Sequence, residues 1–183
     1  MASPNGEPTD SLRNLLHQAD GLTRLEVLDE LCYYFRPRND DSLLHYATLG
    51  WQSSENEYAE MSMLFADYMG AAHYRHARYD SAYWYLSRAL TLTQQLPDSA
   101  YMVTVANSMA TLHFIIGDLE QGARYAIMAL QTAEAIGDSP RFIASCLMNV
   151  AAMQHKLKNH AEAKSYFLRA LSLLQDEKGL RVR

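Results

Sequence analysis

Two histidines three residues apart, His73 and His76, are the residues whose types and spacing first suggest chemistry. On a helix such a pair shares a face, and two imidazole nitrogens there could ligate a transition metal. A metal-dependent enzyme built on His73 and His76 is therefore one reading of the chain. No carboxylate or thiol close in sequence completes a recognisable coordination set, however. His113 also occupies the same place as His73 in a later stretch. That recurrence fits a different role, a half-buried imidazole at a packing position ordinarily held by an aromatic ring. The two cysteines, Cys32 and Cys146, lie far apart inside apolar helical patterns, which suits packing in a reducing compartment better than a disulfide scaffold. Neither stands in a motif with a histidine such as His155.

No phosphate-cradling glycine loop, nucleophile elbow or supported pair of carboxylates stands out. The expectation is a protein that is not an enzyme and needs no cofactor and no metal. The formal net charge of −5 and pI of about 5.8 argue against nucleic acid as a partner, because the basic residues are scattered. The tightest cluster is Arg75, His76 and Arg78. No 18-residue apolar run and no charged-then-apolar leader is present, so no membrane span is expected and a cytoplasmic location is. Half the residues are apolar (49%) and a fifth charged (20%), the balance of a folded chain.

The elements that must carry any site come from an internal repeat. Three segments align: Tyr79 to Leu90, Leu119 to Leu130 and His160 to Leu171. A small residue recurs at Ala82, Gly122 and Ala163. A tyrosine follows three later, at Tyr85, Tyr125 and Tyr166. Each segment closes on Ala-Leu, at 89–90, 129–130 and 170–171, giving spacings of 40 and 41 residues. A fainter copy begins at Asp41, where Gly50 and Trp51 replace Ala-Leu. An earlier helix in each repeat carries its own small residue, at Gly70, Ala110 or Ala151. Paired small residues let two helices approach near the lower end of the ~8–10 Å interaxial range.

Capping patterns punctuate the repeats. Thr23 to Glu26, Ser54 to Glu57, Asp118 to Gln121 and Asn159 to Glu162 approximate capping boxes, and Ser139-Pro140 places a cap before a first-turn proline. Leu96-Pro97-Asp98 and Ile136-Gly137-Asp138 read as matching turns between repeats. The periodicity predicts helices near 11–19, 23–36, 41–52, 55–76, 80–95, 99–116, 119–136, 140–157 and 160–175. Residues 1–10 read as a disordered tail, 11–177 as a single repeat domain, and 178–183 as a tail or truncated continuation.

The small–tyrosine–Ala-Leu pattern, with Met69-Gly70, Met109-Ala110 and Val150-Ala151 in the first helices, resembles the tetratricopeptide repeat. The resemblance covers roughly residues 23–175. The period of about 40, against the usual ~34, is similar to the longer variant of bacterial transcription regulators, sensor kinases, Rap-type regulators and kinesin light chains. The segment from Leu22 to Leu31 resembles, less specifically, the start of bacterial sensor regions joined to output domains. The implied fold is all-α, a right-handed superhelical solenoid of antiparallel helix pairs with three clear repeats and one degenerate N-terminal repeat. The implied function is binding of a protein or extended peptide, as the regulatory or scaffolding part of a bacterial signalling or transcription-regulation system.

That resemblance also implies a concave wall made by the first helices. Its candidate residues are Asp67, Ala71, Tyr74 and Arg75 in one repeat and Thr104, Asn107, Ser108 and Thr111 in the next. Ser145, Met148, Asn149, Ala152, His155 and Lys156 follow in the third. Asn107 and Asn149 centre the groove, since an amide side chain can meet a peptide backbone as donor and acceptor. They could equally be solvated or bonded to a neighbouring turn. Asp67 and Ala71 stand where a lysine–asparagine clamp for chaperone tails would need Lys and Asn, which argues against that mode. The alternative function is a ligand-responsive sensor region acting through homo-oligomerisation. Its contact surface would be the last helix, with Tyr166, Leu168, Leu171 and Leu174 as candidate contacts.

Overall fold

The computed structural model describes residues 9–54, 57–96 and 100–180, with side chains through 175. Among the described residues are nine helices: α1 (Asp10–Leu16), α2 (Gly21–Phe35), α3 (Asp40–Ser54), α4 (Ala59–Arg75), α5 (Tyr79–Thr93), α6 (Ala100–Ile116), α7 (Leu119–Ala135), α8 (Pro140–Lys156) and α9 (His160–Leu180). The chain is all-helical and built of successive helix pairs, as the periodicity predicts. It divides into two compact units, Met1–Leu92 and Thr93–Arg183.

Several boundaries differ from the sequence reading. Helix α2 begins at Gly21, with Asp20 extended before it, so Thr23 lies inside the helix rather than capping it. Helix α4 begins at Ala59 rather than at 55, and Ser54 ends α3. The rest of that expected box includes Glu55 and Asn56, which lie outside the described residues, as do Pro97 and Asp98 of the expected turn. Residues 1–8 of the expected tail and 181–183 of the other end lie outside them too. Thr9 is buried and Asp10 already belongs to α1. Helix α9 runs five residues beyond its expected end at 175. Two caps form as read: Asp118 accepts from the Gln121 backbone N–H at 3.3 Å, and Ser139 accepts from that of Phe142 at 3.3 Å.

Within the first unit, α4 and α5 meet through their small residues. A Cβ added at Gly70 would lie 2.5 Å from Leu86 Cγ and 3.4 Å from the Ala82 carbonyl. The second unit repeats this arrangement: a Cβ at Gly122 of α7 would lie 2.8 Å from Met153 Cε and 3.4 Å from the Ala110 carbonyl of α6. The recurring small positions thus mark close helix contact in both units. The histidines sit beside the recurring tyrosines. His73 stacks on Tyr85 with centroids 5.3 Å apart, and His113 stacks on Tyr125 at 5.4 Å.

The departure at Gly50 has a packing reason. A Cβ there would clash with the ring of Phe65, which is fully buried. One and two repeats later Phe65 is matched by Val105 and Cys146, and Ala129 at the Gly50 position lies with Cys146 in the core of the second unit. A bulky ring on the first helix of one repeat is offset by a lost methyl on the second helix of the repeat before it.

Candidate functional site

First helices carry the polar positions, so the site is built on α4 in one unit and on α6 and α8 in the other. Along α6, Val103, Val105, Ala106, Met109, Ala110 and Leu112 are buried, and the intervening polar residues are carried along the helix edge. Thr104 and Thr111 turn their hydroxyls back onto the carbonyls of Ala100 (3.5 Å) and Asn107 (2.9 Å) of their own helix. Ser108 is buried.

Asn107 and Asn149 are brought together. The Asn149 side-chain amide donates to Asn107 Oδ1 at 3.0 Å, and the Asn107 amide donates to Cys146 Sγ at 3.3 Å. Both asparagines are half-buried. Asn107 therefore orients Asn149, whose carbonyl oxygen and second amide hydrogen are not used by that bond. The Cys146 thiol is pushed up from its ordinary pKa, mainly by burial, against the smaller opposing effect of the Asn107 bond. It acts as a buried acceptor rather than a nucleophile.

Beside Asn149 lies a cavity of about 150 Å³ lined by Ala110, Thr111, Phe114, Asn149, Ala152 and Met153. The Lys156 ammonium stands 5.6 Å from the Phe114 ring centroid at its end. Ser145, Met148 and His155 are exposed along α8. His155 Nδ1 is 3.3 Å from His160 Nδ1 across the α8–α9 turn. Phe114 and Met153 are missing from the sequence reading because their apolar character placed them with the core; Met153 is indeed buried, whereas Phe114 at the α6–α8 seam is half-buried.

In the first unit the expected wall is more committed to its own structure. Asp67 is buried and pairs with Arg36 at 3.2 Å. Ala71 is fully buried, which takes it out of any accessible wall. Tyr74 is half-buried, and burial chiefly raises its phenol pKa. Arg75 pairs through Nε with Asp40 at 2.7 Å and donates to the Arg36 carbonyl at 2.5 Å. The Tyr68 hydroxyl donates to Asp29 at 2.9 Å, joining α4 to α2. Arg36, Arg75 and Lys156 stand one and two repeat periods apart, a recurrence of cations that could have been read from sequence.

His73 and His76 do not share a third ligand. His76 Nε2 lies 3.4 Å from Asp41, while His73 is stacked on Tyr85. Among the described residues no group of three or more His, Cys, Asp or Glu side chains could hold a metal ion. No helix among them is long and apolar enough to cross a membrane.

A family model described as Tetratricopeptide repeat matches residues 101–176, the stretch that carries α6 to α9. Residues 101–176 belong to the tetratricopeptide repeat family. The crystal structure of BtubC (BKLC) from P. vanneervenii superimposes with a TM-score of 0.78 at 17% identity, covering 92% of this chain and 72% of that one. At that identity the likeness shows the fold alone. No curated protein matches the chain. Tetratricopeptide repeats are in general protein–protein interaction modules, and the α6–α8 wall is the accessible first-helix surface of the matched segment.

Proposed function

We propose that the chain binds an extended peptide or protein segment along the α6–α8 wall. The observation that carries this is the Asn107–Asn149 bond, which holds the Asn149 amide beside a small apolar cavity. Such an amide matches the donor–acceptor alternation of a peptide backbone, and the cavity takes one apolar side chain. Ser145, Met148, Thr111, His155 and Lys156 supply the rim. Asp67, Tyr74 and Arg75 belong to the other unit, where Asp67 pairs with Arg36 and Arg75 with Asp40, and they are not part of this wall. The role is non-catalytic, needs no cofactor, and is set in the cytoplasm as the regulatory or scaffolding part of a bacterial signalling or transcription-regulation system. That setting rests on the resemblance to the long-repeat regulators.

The test is affinity capture and mass spectrometry, followed by direct titration of the recovered partner. Asn107→Ala with Asn149→Ala should weaken binding at least tenfold while circular dichroism stays helical. Unchanged affinity in the double variant refutes the assignment of the wall.

A second reading, self-association through α9, is favoured by a specific observation. Phe167, Leu168 and Leu171 are exposed, 44%, 56% and 50% respectively, whereas Ala126 and Leu130, the α7 counterparts of Phe167 and Leu171, are buried. Of the residues expected on this face, Tyr166 and Leu174 instead pack on the core, and Phe167 takes part in their place. A monomeric mass by light scattering at high concentration, unchanged by Leu168→Glu, refutes this reading.

A further inference from the structure

A strongly cationic corner of the first unit lies where α2 and α4 end. Tyr33, Arg36, Pro37, Arg38 and Arg75 border an open cavity of about 520 Å³. Three guanidinium groups meet there in a chain whose net charge is −5. Two of them are already balanced: Arg36 by Asp67 at 3.2 Å, and Arg75 by Asp40 at 2.7 Å. Arg38 differs. Its guanidinium lies 4.3 Å from the Tyr34 ring centroid and donates to the Tyr34 carbonyl at 2.6 Å. No carboxylate among the described residues neutralises it. It is fixed by the ring and the carbonyl, with most of its five N–H donors still pointing to solvent.

We propose that this corner binds the side-chain carboxylate of an acidic peptide, with Arg38 as the bidentate donor and Tyr33 as the platform beside it. Tyr33 is 75% exposed, the most exposed large hydrophobic side chain among the described residues, and Pro37 adds a rigid apolar edge. Aromatic and arginine side chains presented together are the residues most often found to dominate binding energy at interfaces. The cavity is too open to desolvate a lone ion, so a small anion there would be largely screened. The charge also sets the class of ligand. Arg38 supplies one uncompensated positive charge, and the partly exposed Asp40 carboxylate beside Arg75 would repel a phosphate dianion more than a single carboxylate. This surface is independent of the α6–α8 wall and stands or falls apart from it.

The test is a nuclear magnetic resonance titration of the full-length, isotope-labelled protein with acetyl-hexaglutamate amide, and separately with inorganic phosphate. The expected result is a saturable shift of the Tyr33, Arg38 and Arg75 resonances with the peptide only. Arg38→Glu should weaken it at least tenfold with unchanged circular dichroism, and Tyr33→Ala should weaken it severalfold. Arg124→Glu makes the same change in net charge at an exposed position of α7, and it should leave the affinity as it is. Asn107→Ala with Asn149→Ala should also leave it as it is, which separates this proposal from the wall. Equal losses in the Arg38 and Arg124 variants, shifts spread over all basic residues, the same shifts with phosphate, or no shift at all would each overturn it.

Discussion

Gly50 and Phe65 show how a single methyl group is set by its neighbour's volume. Adding that methyl as Gly50→Ala forces it into a buried ring, and overpacking of this kind costs about 1–3 kcal/mol. Phe65→Val, matching Val105 in the next repeat, should recover part of the loss, and a double-mutant cycle by urea denaturation measures the coupling. Gly122→Ala should be far milder, because the atom it meets is the flexible end of Met153. His73 makes a pH prediction. Burial chiefly, then Arg78 and His76, lower its pKa from the usual 6.5. A lowered folded pKa means the neutral ring's stabilising contribution is present above pH 6.5 and lost as pH falls through the lowered value. His73→Phe keeps the stack on Tyr85, removes a buried Nδ1 that has no partner, and should flatten the decline in thermal midpoint below pH 6.5. Both thiols are fully buried with raised pKa values, so a disulfide reagent should label neither in native protein and both in urea.

At the scale of the helix, the turns between first and second helices repeat more faithfully than their residues do. Ala77, Gly117 and Lys158 occupy the same place, and all three have left-handed backbone, with φ of 55°, 84° and 66°. At two of them the N–H of the following residue closes the helix: Arg78 to the His73 carbonyl and Asn159 to that of Gln154, each at 2.9 Å. Only Gly117 is the residue that this conformation favours. Ala77→Gly and Lys158→Gly should each stabilise the fold by about 0.5–1 kcal/mol, read as a higher urea midpoint.

The sequence makes such helices legible because their period and their small residues are both fixed by packing. It hides the left-handed turns at Ala77 and Lys158, where tertiary contacts impose a conformation that the residue type does not announce. It also hides the start of α2, since Thr23 mimics a cap residue while the N-cap position is held by Asp20. In the candidate site, the polarity of Asn107 and Asn149 is plain from the chain. That they bond each other is not, because their 42-residue separation departs slightly from the repeat period. The involvement of Phe114 and the arginine corner depends on which helix ends meet, a matter of tertiary geometry.

For the molecule as a whole, two compact units with separate buried cores should not always unfold together. Trp51 and Trp84, the two tryptophans of the chain, both lie in the first unit. Their fluorescence therefore reports that unit, whereas circular dichroism reports all the helices. Gly50→Ala should move the fluorescence transition to lower urea ahead of the dichroism transition. Coincident transitions in that variant would show the units to be cooperatively locked.

The bonds that join one first helix to the next reach a single repeat along the chain: Asp29 to Tyr68, Arg36 to Arg75 and Asn107 to Cys146 are each 39 residues apart. A growing chain leaves the ribosome from its N-terminus, so each of these partners has already emerged when its mate appears. Asp29 waits for Tyr68, and Asn107 for Cys146, with no need for the remainder of the protein. Such short loops close quickly and give little time for exposed apolar faces to find the wrong neighbour.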